Sequence, residues 1–523
     1  MFEAGGIFMP LEPDYPEKRL DYLLVTVKPE VVIATASSFE VLMSKVGRMD
    51  YAQYLKYVLI IQEDLSLELA EVSAGELKGQ TTKLASDYGP VPVEVTGEDS
   101  NYLLYTSGST GFPKIIEGRH VSLSHFIHWE VSTFSLNKKS HVSQLVPISF
   151  DVSLRDIFVP LLCGGTLCIP DKSIKLKPKE LIDWLGEQSL SLIHTVPSLF
   201  RLLTKELEEN EELQDSLESL THVLLSGEAL YGRDVTGFRN VMGTGIELVN
   251  LYGPTETTLA KLFYQVGEIE DKNEIVALGN PITNTAVIIL NGNKLCEIGE
   301  IGEICIKTPF RSKGYYKDET TTKEKFIQNP LHDEYEDIIY KTGDLGKYKE
   351  DRSIAFVGRQ DSQLKIRGNR VELSEVERAL MDYQGLEQVL VLPKKQQDDY
   401  VLICYYIGGS EIDPAAIRSF LSTQLPDYMF PSYYLRMEEF PLNLNGKIDK
   451  QSLPNPEELL YDRIAYEAPA TKEEEPLCEI WSEILSLNKV GVNKSFFEIG
   501  GHSLSAAKVV TRVYERMGAE ISL

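Results

Sequence analysis

A chain of 523 residues is too long for a single core, and its 43% hydrophobic content is enough to fill several. Its formal net charge of −27, from 52 Lys and Arg against 79 Asp and Glu, argues against a nucleic-acid partner and against an anionic membrane surface. No apolar run reaches the roughly 20 residues of a membrane helix. The opening Met1-Phe-Glu-Ala-Gly-Gly lacks the basic region of a signal peptide. Cys163, Cys168, Cys296, Cys305, Cys404 and Cys478 form no C-x-x-C pair, so they read as reduced thiols of a cytoplasmic protein.

Over the first ~350 residues, β-branched runs alternate with amphipathic stretches, the pattern of α/β layers. Val31-Val-Ile-Ala34 and Val223-Leu-Leu-Ser226 read as buried strands, Pro178 to Gln188 and Pro197 to Leu213 as helices, and Gly302 to Lys307 as an alternating strand. Within this region Leu103-Leu-Tyr-Thr-Ser-Gly-Ser-Thr-Gly-Phe-Pro-Lys114 runs from an apolar strand into a Gly/Ser/Thr loop that ends on a lysine. Gly108 and Gly111 let backbone N–H groups close on phosphate oxygens, Thr106, Ser107, Ser109 and Thr110 add hydroxyls, and Lys114 adds a charge. The string suits a polyphosphate such as ATP without being a Walker A loop; a polar turn between strands is the plainer alternative.

Further along, Asn250-Leu-Tyr-Gly-Pro-Thr-Glu-Thr-Thr258 offers an aromatic ring at Tyr252 for a purine, and hard oxygens at Thr255 and Glu256 for Mg²⁺. It reads equally well as a tight turn with a carboxylate. Tyr340-Lys-Thr-Gly-Asp344 puts a carboxylate after a glycine turn, suited to ribose hydroxyls. Gly358 to Gly368 is charged and glycine-bounded, as a hinge or a structural hairpin would be. A smaller α+β pattern follows from about Gly358 to Leu453, with a helix at Ser374 to Tyr383 and strands at Gln388 to Leu392 and Val401 to Ile407. Asn443-Leu-Asn-Gly-Lys447 presents a lysine on a turn.

Pro454, Pro456 and Pro469 among charged residues mark a linker. Beyond it, Thr471 and Glu474 fit a capping box ahead of Leu477, Ile480, Trp481, Ile484 and Leu485 at helical spacing. A second helical pattern, Leu504, Ala507, Val510 and Val513, starts after Gly500-Gly-His-Ser503.

These stretches occur in one order together with Phe150-Asp151-Val-Ser, Leu425-Pro-Asp-Tyr-Met-Phe-Pro431 and Ala4-Gly-Gly-Ile-Phe-Met-Pro-Leu-Glu-Pro-Asp-Tyr-Pro16. As a set, the chain resembles an adenylation domain of a nonribosomal peptide synthetase followed by a peptidyl carrier domain. The resemblance implies an α/β large N-terminal adenylation subdomain over 1–357, a small α+β C-terminal mobile subdomain over 358–455, a linker over 456–470, and a partial all-α helical-bundle carrier over 471–523. The adenylation part is expected to be truncated at its start and the carrier at its end.

By the same resemblance, residues 106–111 (Thr106, Ser107, Gly108, Ser109, Thr110, Gly111) and Lys114 hold ATP phosphates. Asn250 and Tyr252 contact adenine, Thr255 lies beside them, Glu256 holds Mg²⁺, and Asp344 takes the ribose with Arg359 nearby. Lys447 bridges substrate carboxylate and α-phosphate. Asp361 is the hinge, and Lys365 serves thioester formation. Asp151 pairs with an α-ammonium, and the side-chain pocket is lined by Val152, Arg155, His194, Leu224, Ser226, Leu251, Leu259 and Ala260. Arg155 and His194 point to an acidic amino acid, Glu or Asp in type; an Asp151–Arg155 pair beside a core histidine is the alternative. Ser503 is the attachment point for 4'-phosphopantetheine, at a helix start that favours a phosphodiester. The implied partners are an amino acid substrate, other synthetase domains (condensation or thioesterase) and a phosphopantetheinyl transferase. An acyl- or aryl-CoA ligase, and an inactive segment serving only as carrier or docking element, are the competing functions.

Overall fold

A computed structural model of the chain describes residues 4–12, 15–46, 54–73, 76–83, 93–108, 112–175, 177–360, 363–366, 368–396, 399–409, 413–441, 448, 450–455, 467–485, 487, 489–493, 496, 499, 501, 503–519 and 521. At its centre is a seven-stranded sheet. Its spatial order is Asn280–Pro281, Leu262–Gln265, Glu247–Tyr252, His222–Ser226, Leu192–Thr195, His141–Ser143 and Thr166–Cys168. The strands from Glu247–Tyr252 to Thr166–Cys168 pair in parallel, and the other two add antiparallel.

The strand His222–Ser226 shows why the sheet is covered on both faces. Val223 and Leu225 pack with Leu181, Phe200 and Leu203 on one side, while Leu224 packs with Phe126, Leu154 and Val159 on the other. Successive side chains point to opposite faces, so a continuous apolar run demands helices above and below. The helices Pro178–Glu187 and Pro197–Glu209 cover one face, each opening on a proline that needs no N–H partner. The second ends before the expected Leu213, with a separate 3-10 turn at Glu211–Leu213.

Two expectations need correction. Val31–Thr35 is a strand but not a buried one. It is the edge of a four-stranded sheet, and Val31 and Ile33 are 51% and 45% exposed. Gly302–Lys307 does not alternate: it lies between two partner strands, with Ile304 and Ile306 in one core and Cys305 in another.

The C-terminal region has its own core, in which Val371, Val376, Leu380, Val391, Leu402 and Ile417 meet. It contains the hairpin of Gln363–Ile366 with Asn369–Glu372, the helix Leu373–Met381, and a sheet of Leu386–Gln396, Asp399–Gly408 and Tyr433–Arg436. Last come the helices Glu474–Leu485 and Ser503–Met517, joined through Ile480, Leu485, Phe496, Val509 and Val513. The first has the expected capping box: Glu474 accepts from the Thr471 N–H at 3.0 Å, and the Thr471 hydroxyl accepts from the Glu474 N–H at 3.2 Å. Among the described residues no helix is long and apolar enough to cross a membrane, and all six cysteines are free.

Candidate functional site

A cavity of about 980 Å³ opens at the C-terminal ends of the parallel strands, roofed by the hairpin and helix of the C-terminal region. Crevices at that end of a parallel sheet are where α/β folds bind ligands. Thr106, Ser107, Asn250, Tyr252, Thr255, Asp344, Arg359 and Lys365 line it, as do Asp151, Val152, Arg155, His194, Ser226, Leu251, Leu259 and Ala260. Leu224 does not: it is fully buried in the core beneath, facing Phe126 and Val159. Ser109, Thr110, Gly111, Asp361 and Lys447 lie outside the described residues.

The glycine-rich loop closes a hairpin in which Thr106 pairs with Lys114. A Cβ on Gly108 would lie 1.7 Å from the Phe112 carbonyl oxygen, so only glycine lets the loop turn back this tightly. The hydroxyls of Thr106 and Ser107 are buried without a hydrogen-bond partner among the described residues. Such donors are costly unless something accepts from them. Lys114 stands over the ring of Tyr315, 5.6 Å from its centroid, and burial lowers its pKa.

Asp344 is held on both sides. Arg359 donates to Oδ1 at 2.7 Å, and the Tyr252 hydroxyl donates to Oδ2. Each oxygen keeps a lone pair. Asn250 donates its amide to the Ala277 carbonyl at 2.9 Å, which ties it to the wall. Glu256 is wholly buried and off the cavity surface. Burial would raise its pKa, but Arg370 at 2.8 Å and the donating Tyr315 hydroxyl at 2.8 Å hold it at about 2. Its second oxygen, Oε2, has no hydrogen-bond partner among the described residues, which suits a hard cation. Lys365 and Arg370 face each other across the hairpin register and both reach the cavity. Lys365 is open to the solvent of the cleft yet surrounded by protein, and that desolvation lowers its pKa against the pull of Asp344.

On the far wall, the helix Val152–Cys163 starts directly after Asp151 and carries Arg155 and Asp156. His194, fully buried at the end of its strand, has Nε2 at 2.8 Å from Glu130 and Nδ1 at 2.8 Å from Asp156. Burial opposes its protonation, but Glu130 and the Asp156 contact raise its pKa. The imidazole is thus hydrogen-bonded to Glu130 through Nε2, while Nδ1, although close to Asp156, has no hydrogen bond among the described residues. Arg155 donates from Nη2 to the Ser226 hydroxyl at 3.1 Å, while its Nε, 4.0 Å from Asp156, is buried with no hydrogen-bond partner among the described residues.

The family described as AMP-binding enzyme matches residues 1–316, and the one described as phosphopantetheine attachment site matches residues 475–523. The chain belongs to the AMP-binding enzyme family. Its relatives are nonribosomal peptide synthetases. Bacitracin synthase 3 of Bacillus licheniformis is 33% identical over 525 residues, covering 100% of this chain and 8% of that protein. Gramicidin S synthase 2 of Aneurinibacillus migulanus is 30% identical over 525 residues, covering 100% and 11%. The chain therefore spans a small part of these relatives. Among solved structures, PA1221, an NRPS protein containing adenylation and PCP domains, superposes with a TM-score of 0.70 at 24% identity, over 96% of this chain and 86% of that one. AB3403, a four-domain nonribosomal peptide synthetase, does so with a TM-score of 0.53 at 26% identity, over 99% and 36%.

In this AMP-binding enzyme the attachment-site region lies against the rest of the chain. Ser503 is the first residue of its helix; its side chain is outside the described residues. Just before it, a Cβ on Gly501 would lie 2.4 Å from the Phe496 carbonyl oxygen, which accounts for the glycine at this turn. Gly501 shares a small crevice with Tyr400 and Tyr428 of the C-terminal region, and Arg512 bonds Glu209 at 3.0 Å. Glu130, Asp156, Arg19, Arg370 and Glu375 were not singled out from the sequence. A capping-style or motif search cannot find them, because each carries an ordinary charge on a helix or strand and gains its meaning from a distant partner.

Proposed function

We propose that the chain activates an amino acid with ATP as aminoacyl-AMP, releasing pyrophosphate, and then passes the acyl group to a 4'-phosphopantetheine thiol carried on Ser503. The observation that carries this reading is one cavity whose wall holds the glycine-loop hydroxyls, Asp344 with Arg359, Asp151 with Arg155, and Lys365. Its two ends differ as a nucleotide and an amino acid do. In the reading, residues 106–111 and Lys114 bind phosphates, Asp344 accepts from the ribose with its remaining lone pairs, and Asn250 and Tyr252 flank the adenine. Glu256 offers Oε2 to Mg²⁺, which would neutralise phosphate charge. Lys447 supplies a cation to the α-phosphate, Asp361 is the hinge, and Lys365 serves the second half-reaction. The functional division is 1–357, 358–455, a linker 456–470, and a carrier 471–523. Condensation or thioesterase domains, and a phosphopantetheinyl transferase, are the partners in a cytoplasmic synthetase.

The substrate is an acidic amino acid of Glu or Asp type. Asp151 answers its α-ammonium. Arg155 answers its side chain, because its buried Nε lacks a hydrogen-bond partner among the described residues; His194 lies beside it, with Nε2 bonded to Glu130 and Nδ1 2.8 Å from Asp156 but without a hydrogen bond among the described residues. A side-chain carboxylate supplies the acceptor for the Arg155 Nε. Exchange of labelled pyrophosphate into ATP tests the first step: it should depend on added Glu or Asp. Exchange independent of any amino acid, or absent with all of them, would contradict the proposal.

A further inference from the structure

One loop lines both parts of the cavity: the part read as nucleotide-binding at Tyr252 and Thr255, and the part read as amino-acid-binding at Leu259 and Ala260. It is closed by the Lys261 N–H, which donates to the Tyr252 carbonyl at 2.7 Å. Between the two parts the backbone takes a conformation that its residues do not favour. Thr258 and Leu259 both lie in the left-handed region, with φ of 66° and 59°, although neither is glycine. For threonine the branched Cβ crowds the backbone there. Two side chains hold Thr258 in place. Lys261 Nζ donates to its carbonyl at 2.8 Å, and the Tyr102 hydroxyl donates to its hydroxyl at 3.1 Å. Both side chains are fully buried, and Lys261 has no carboxylate partner among the described residues. A buried lysine bonded to a single carbonyl costs stability. Residues that break a folding rule in this way are expected where function needs them.

We propose that Lys261 is a positioning residue for amino-acid selection: by clamping the Thr258 carbonyl from behind the wall, it fixes how far Leu259 and Ala260 stand into the cavity, and so the length of side chain accepted. The proposal rests on the reading of that part of the cavity as the amino-acid pocket, but not on the amino acid being acidic. A strained backbone persists only while its surroundings over-determine it. Without the clamp, Thr258 and Leu259 drift toward right-handed or extended backbone, and the wall they form becomes movable. A movable wall admits side chains of either length, so discrimination is lost before chemistry. Asp344 is held by Arg359 and Tyr252 through contacts that do not involve Thr258, so the nucleotide is bound as before.

The test is pyrophosphate exchange by the full chain with Glu and with Asp, whose side chains differ by one methylene. A pocket separates such a pair by about 10- to 200-fold. Lys261→Met keeps the stem and removes the donor, while Tyr102→Phe removes the second tether and only one oxygen. Whichever of Glu and Asp wild type prefers, the ratio of their kcat/KM values should fall about tenfold in Lys261→Met and about threefold in Tyr102→Phe. The change should come through the KM of the preferred amino acid, with kcat and the KM for ATP near wild type. If Lys261→Met fails to fold, the Tyr102→Phe ratio decides. An unchanged ratio in both variants would overturn the clamp. So would an equal loss with Glu and Asp together with a raised KM for ATP, the mark of a purely structural role, and so would a wild type that does not separate Glu from Asp. If wild type takes Leu and Val in place of the acids, the acidic reading fails and the same ratio for Leu and Val decides the clamp. Exchange with no amino acid would overturn the pocket reading and the clamp with it.

Discussion

Arg19 and Glu375 are 356 positions apart in the chain and 2.7 Å apart in space, both almost completely buried. This pair fastens the C-terminal region to the beginning of the chain. A buried pair is costly to break on one side, because the remaining charge is stranded, by about 3–5 kcal/mol. Glu375→Ala should therefore lower the thermal midpoint markedly. Arg19→Met/Glu375→Leu, which strands neither charge, should lie close to wild type or above it. Calorimetric scans of the three proteins decide this; equal losses in both variants would show that the pair is ordinary packing.

Lys261 provides a pH signature. It is fully buried, donates to the Thr258 carbonyl at 2.8 Å, and burial lowers its pKa from 10.5 to about 7. A lysine with a depressed folded pKa binds fewer protons folded than unfolded between those values, so stability rises with pH across that window. Lys261→Met removes the term. The variant should be the more stable at pH 7. Its advantage should shrink toward pH 10.5, by up to about 1.4 kcal/mol per pH unit. An advantage that does not change with pH would contradict the buried, neutralising lysine.

The two lysines read as catalytic should separate the half-reactions. Lys447→Ala should lose most pyrophosphate exchange, since removing a donor aimed at transition-state charge costs about 2.7–4 kcal/mol. Lys365→Ala should leave exchange near wild type and slow transfer to the carrier thiol. Equal effects of both variants on both steps would remove the division of labour.

Arg155 should decide the amino acid. With Arg155→Leu, the preference for Glu or Asp over Leu or Val in pyrophosphate exchange should fall about 10- to 150-fold, the value of one charge-assisted hydrogen bond. The KM for ATP should change far less. A wild-type panel led by Leu, Val or Phe would show that Arg155 is satisfied within the protein.

The part of the cavity that the proposal gives to the nucleotide is legible in the sequence because its residues come in short runs. Thr106 to Gly108, Asn250 to Glu256, and Tyr340 to Asp344 each carry their own turn chemistry, and they come from three different sheets whose residues meet at one cavity. What could not be read is the partnering across long separations. His194 looked available for a substrate because Glu130, 64 residues earlier, gives no local sign of facing it. Leu224 belongs to the pocket by resemblance; it shares a strand face with the lining Ser226 and a core with the lining Leu251, Leu259 and Ala260, but sits two residues deeper along its strand and is fully buried. The exposure of Val31 has the same origin: an apolar run specifies a strand, but only the sheet order shows that it is an edge.

The central claim is a two-step path from amino acid to carrier on one chain, and intact-protein mass spectrometry follows both steps at once. The full chain is treated with a phosphopantetheinyl transferase and coenzyme A, then with ATP, Mg²⁺ and Glu or Asp. The expected result is a phosphopantetheine mass gain that is absent in Ser503→Ala, followed by a further aminoacyl gain that requires ATP. A phosphopantetheine-bearing chain that acquires no aminoacyl mass with any amino acid, or one modified equally in Ser503→Ala, would contradict the account.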